Sequence, residues 1–107
     1  MKNESFSRRM FINHLKNLLR FNKRQSNCEK SKKLLSTIIS LCFCHQNITS
    51  MKISELETLS IRFKDIAKQI RDINDKDFDL FEISFETYLI SVVFDAVIDW
   101  KKANELT

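Results

Sequence analysis

The chain has 107 residues, 43% of them apolar and 30% charged, which is enough for one domain with a core that needs no metal or disulfide staple. It contains no glycine and no proline, and no Asn-Gly pair, which argues against P-loop and Rossmann phosphate loops and against two-residue hairpins. The formal charge of +4 is uneven: residues 1–50 hold ten Lys/Arg and two Glu, residues 51–107 eight Lys/Arg and twelve Asp/Glu, so the halves either attract each other or face different partners.

Such a composition predicts an all-α fold, with helices joined by short polar connections and a single domain over 1–107 that frays at 1–5 and 104–107. The first helix is expected from about Phe6 to Lys23. Phe11, Leu15 and Leu18 fall on one side, flanked by Ile12, Leu19 and Phe21, while Arg9, Lys16, Arg20 and Lys23 line the other. This basic face, extended by Arg24, Lys30, Lys32 and Lys33, suits phosphates or an anionic membrane surface as well as plain solvation. It lacks interleaved aromatics for base stacking. Its Arg, Ser and Phe content also has the character of an organellar presequence.

Arg9-Met10-Phe11-Ile12-Asn13-His14 has the Arg-x4-His spacing used by HEPN-type ribonucleases. Met10 stands where that family usually has a polar residue, and the motif lies in the first helix rather than late in the fold. No membership is read from it. A polar connection, Arg24 to Cys28, follows.

The second helix is expected from about Glu29 to His45. Leu34, Leu35, Ile38, Ile39, Leu41, Cys42 and Phe43 cover most of its circumference, which predicts a central position. The stretch from Leu34 to Cys44 is too short to span a bilayer, so no integral membrane segment is expected. Cys42-Phe43-Cys44-His45 invites a metal, but on a helix Cys42 and Cys44 point about 200° apart and cannot share an ion. Buried free cysteine is the ordinary alternative. The three cysteines, Cys28, Cys42 and Cys44, form no even disulfide set, and no apolar signal region follows the N-terminus. An intracellular, cytoplasmic location is therefore expected, and the Asn47-Ile48-Thr49 sequon carries no weight.

The third helix carries the clearest pattern. Ser54-Glu55-Leu56-Glu57 fits a capping box. Leu56, Leu59, Phe63, Ile66, Ile70 and Ile73 then recur at heptad spacing, with Lys64, Lys68, Arg71 and Asp72 outward and Asn74-Asp75 as the stop.

The fourth helix is expected from a cap at Asp75 or Asp77 to about Ala103. Phe78, Phe81, Phe85, Tyr88, Leu89, Val92 and Ala96 form one apolar face, read as the core side. A second face, Leu80, Ile83, Ile90, Phe94, Val97 and Ile98, exceeds what one core needs. Either the chain's own second helix covers it, making the fourth helix central, or a partner or second copy does; the expectation is that Ile83, Ile90, Phe94, Val97 and Ile98 form a protein interface. The window Phe81 to Glu86 alternates like a strand, but no turn residues exist to build a sheet, and helix is the better reading. Asp75, Asp79, Glu82 and Glu86 share a helix face as an acidic stripe, a solvated or docking surface, since no Glu-x-x-His motif accompanies them. No serine or histidine stands in a nucleophile context, so no catalytic residue is assigned.

The sequence thus predicts a small antiparallel bundle of about four helices, dimeric, without metal or cofactor. Its expected function is non-enzymatic: a small adaptor, regulatory or chaperone-like protein that binds another protein or a second copy of itself. The alternative is a nucleic-acid-binding regulator contacting phosphates through Arg9, Lys16, Arg20 and Lys23.

Overall fold

Among residues 2–23, 29–45, 47–73 and 78–104, which the computed structural model describes, there are four α-helices and no strand. They are α1 (Lys2–Lys23), α2 (Glu29–Cys44), α3 (Ile53–Arg71) and α4 (Phe78–Ala103), with a single 3-10 turn, Ile48–Ser50, between α2 and α3. The helical bundle expected from composition is present, and the alternating window Phe81 to Glu86 lies wholly within α4. α1 begins at Lys2, a turn before the expected start at Phe6.

α3 forms as its heptad pattern requires, burying Leu56, Leu59, Phe63, Ile66 and Ile70. The capping box does not form. The N-cap is Lys52, without a side-chain bond, and Ser54 already lies inside the first turn. Leu56 N–H donates to the Lys52 carbonyl at 3.0 Å, so the helix has begun before the serine could cap it. The helix ends at Arg71, with Asp72 as its C-cap; the expected stop at Asn74-Asp75 and the α4 caps Asp75 and Asp77 lie outside the described residues.

α3 and α4 are the principal pair. Ser84 Oγ donates to the Ala67 carbonyl at 2.8 Å, and Ser60 Oγ reaches the Ser91 carbonyl at 3.3 Å. Ascending α3 therefore descends α4. Small polar side chains at Ser60, Ser84 and Ser91 let the helices approach closely while satisfying their own hydroxyls.

The core centres on the Phe94 ring, 5.8 Å from that of Phe11 on α1 and 5.4 Å from that of Phe63 on α3. Leu18, Ile38, Ile48, Leu56, Ile70 and Ile90 close around them, all buried. α4, which packs against α1, α2 and α3, is the central helix. α2 is not, contrary to its apolar circumference. It buries Leu35, Ile38, Ile39 and Cys42 but leaves Phe43 exposed. Lys32, Lys33, Ser36, Thr37 and Ser40 make the rest of its surface too polar to enclose, and all five are exposed.

Candidate binding face on the last helix

The two apolar faces of α4 lie the opposite way round from the sequence reading. Ile83, Ile90, Phe94, Val97 and Ile98, expected at an interface with a partner, are all buried in the chain's own core. The face read as the core side is the open one: Phe81 is 69% exposed, Phe85 54%, Tyr88 47% and Val92 41%. Their spacings of four, three and four place them on one stripe of the helix. Single exposed apolar residues are ordinary, but four contiguous ones, three of them aromatic, mark a surface suited to binding.

Where the stripe meets α3 there is a groove of about 460 Å³, walled by Phe81, Phe85 and Tyr88 on one side and by Lys64, Lys68 and Arg71 on the other, with Ala67 and Ser84 between. Lys64 is engaged: its Nζ lies 2.7 Å from Asp95 Oδ2, while Ser60 Oγ donates to Asp95 Oδ1 at 2.5 Å. Lys68 and Arg71 are exposed and make no ion pair among the described residues. The groove therefore pairs an aromatic wall with two uncommitted cations.

The acidic stripe is divided. Asp75 lies outside the described residues, and Asp79 is placed on α4 by its backbone. Glu82 is exposed, lining a pocket with Asn17, Arg20, Phe21 and Glu86. Glu86 is not a docking residue: it accepts from His14 Nδ1 at 2.6 Å and from Asn17 Nδ2 at 3.1 Å. The basic and acidic halves thus meet here inside the fold.

Of the basic residues, Arg9, Lys16 and Arg20 are exposed along one side of α1. Arg20 donates from Nη2 to Asn17 Oδ1 at 2.8 Å, and Lys23 is placed by its backbone at the end of α1. The Arg-x4-His spacing assembles no site. Arg9 is exposed, whereas His14 is buried and held by Glu86, and five residues on a helix turn the two side chains about 140° apart.

The cysteine cluster is likewise split. Cys42 is buried and its thiol pushed up to about 12 by burial, so it stays protonated. Cys44 points to solvent, and His45 Nδ1 bonds the Leu41 carbonyl at 2.8 Å. No group of three or more His, Cys, Asp or Glu among the described residues is arranged to hold a metal. No helix among them is long and apolar enough to cross a membrane.

Compared with known proteins, the chain matches no family model, no curated protein and no solved structure. The face on α4 is what the molecule itself offers.

Proposed function

We propose that the chain is a non-enzymatic binding protein, a small adaptor, regulator or chaperone-like factor, that engages another polypeptide through the outward face of α4. The observation that carries this reading is the contiguous exposure of Phe81, Phe85, Tyr88 and Val92 beside the uncommitted cations Lys68 and Arg71. Aromatic side chains supply large buried area at low entropic cost and are the usual anchors of protein interfaces. In this reading the anchor is the aromatic stripe rather than the five residues first expected, and the helices form an antiparallel bundle around α4.

Displayed amphipathic helical peptides, panned against the immobilised protein at high dilution and then against its Phe85→Asp variant, test the reading. Binders that lose at least about tenfold in affinity on the variant are expected. Failure to select any binder, or binders indifferent to Phe85, would overturn it.

A second reading rests on the exposed row Arg9, Lys16 and Arg20: binding of nucleic-acid phosphates, with affinity falling steeply as salt rises. Reversal of Arg9 and Lys16 to Glu is expected to abolish such binding. No binding of a DNA or RNA duplex, or binding that ignores salt and both substitutions, would remove this alternative.

A further inference from the structure

We propose that the occupant of the outward α4 face is a second copy of this chain, paired antiparallel about a twofold axis close to Tyr88; this rests on the reading of that face as a binding surface. The face changes character along its length. Phe81, Phe85, Tyr88 and Val92 form its apolar middle. Phe81 and Asp99 sit at the same angle on α4, because steps of about 100° bring a helix round every eighteen residues. The exposed stripe therefore runs on from Val92 into Asp95 and Asp99. Asp95 is occupied by Lys64 and Ser60. Asp99 is exposed and makes no ion pair among the described residues. Lys102, an exposed cation one turn further on, stands about 60° round the helix from the stripe.

The other end is cationic. The Ala67–Ser84 and Ser60–Ser91 contacts fix the register of α3 on α4, and extending it by one turn puts Arg71 level with Leu80. Arg71 and Lys68 thus stand beside Phe81 and Phe85. Glu82, at the same end, faces the α1 side, where it shares a pocket with Arg20.

A face with Lys68 and Arg71 at one end, an apolar middle and the Asp99 carboxylate at the other can meet itself turned end for end with opposite charges facing. An acidic helix would suit Arg71 and Lys68 but be repelled at Asp99, and an anionic membrane would meet the same repulsion. The inverted copy satisfies both ends at once. A twofold axis near Tyr88 lays Phe85 against Val92 of the second copy and Arg71 beside that copy's Asp99, and does so twice, as an isologous interface must.

Sedimentation velocity on the wild type, Phe85→Asp, Arg71→Glu, Asp99→Arg and an equimolar mixture of the two charge reversals decides the matter. The expected wild type is a dimer at micromolar concentration. Phe85→Asp is a monomer with an unchanged helical circular dichroism spectrum. Each charge reversal alone weakens self-association by roughly tenfold or more. Their mixture restores the dimer as a heterodimer, because each reversed residue then meets an opposite charge. A dimer indifferent to Phe85→Asp and to both reversals overturns the proposal, as does a mixture no better associated than its components. A monomeric wild type that still binds displayed peptides through Phe85 overturns the second copy while leaving the binding face standing; a monomer that binds none removes both.

Discussion

His14 on α1 donates from Nδ1 to Glu86 Oε2 on α4 at 2.6 Å, with both side chains largely buried at 10% and 17% exposure. Asn17 Nδ2 fills the other carboxylate oxygen at 3.1 Å. One carboxylate thus anchors the basic N-terminal helix to the central helix. Removing it strands two partly buried donors. Glu86→Ala is expected to lower unfolding free energy by about 1–3 kcal/mol, whereas Glu82→Ala, on an exposed neighbour, changes it by less than about 0.5 kcal/mol. Urea denaturation of both variants gives the comparison.

Phe94 is fully buried between the rings of Phe11 and Phe63. Truncation to Ala leaves a cavity bounded by three helices that cannot all collapse into it. A loss of about 3–5 kcal/mol is expected for Phe94→Ala. Phe85→Ala, on the exposed stripe, shifts the melting free energy by about 0.5 kcal/mol or less in the monomer.

Far more of α3 than of α4 was legible in the sequence. The α3 pattern from Leu56 to Ile70 has a single apolar stripe, with Ile61 the one large apolar residue left exposed outside it, so one packing direction stands out. α4 is apolar nearly all round, and periodicity cannot choose between two apolar faces. A usable signal was present at the C-terminal end. The inward stripe stays apolar through Val97 and Ile98, while the outward stripe breaks into Asp95 and Asp99, which a core would not accept unpaired. The glutamate at position 86 was legible as charged but not as paired, because His14 lies on another helix and sequence spacing carries no such contact. The apolar positions of α2 misled for the opposite reason: a buried strip of Leu35, Ile38, Ile39 and Cys42 suffices for a flanking helix, and the hydroxyl and lysine residues between them decide its place.

Burial holds the Cys42 thiol neutral up to about 12, against an ordinary value of 9.0, whereas Cys44 is exposed. Since the thiolate is the nucleophile, iodoacetamide at pH 8 is expected to label Cys44 rapidly and Cys42 only on unfolding, as peptide mass spectrometry would record. The folded thiol binds its proton more tightly than the unfolded one. This contribution to stability is therefore intact below pH 9 and lost as pH rises from there towards about 12. Equal labelling of the two cysteines in the folded protein would contradict the burial of Cys42.

Lys64 and Asp95 are ion-paired at 2.7 Å, with each side chain 41% exposed. Screening keeps such a pair weak. Lys64→Met is expected to change stability by no more than about 1 kcal/mol, with the effect shrinking in high salt. Asp95→Ala is the more costly of the two, because buried Ser60 then keeps only its 3.3 Å bond to the Ser91 carbonyl. Thermal melts at two salt concentrations separate the electrostatic part from the hydrogen bond.

The most direct test of which α4 face belongs to the core is a matched pair of double variants followed by circular dichroism melting. Phe81→Asp with Phe85→Asp changes the outward face and is expected to keep the helical spectrum and a cooperative transition. Ile90→Asp with Phe94→Asp places two charges in the core and is expected to abolish both. An outward pair that unfolds the chain, or an inward pair that leaves it folded, would contradict the assignment of the exposed stripe as a binding face.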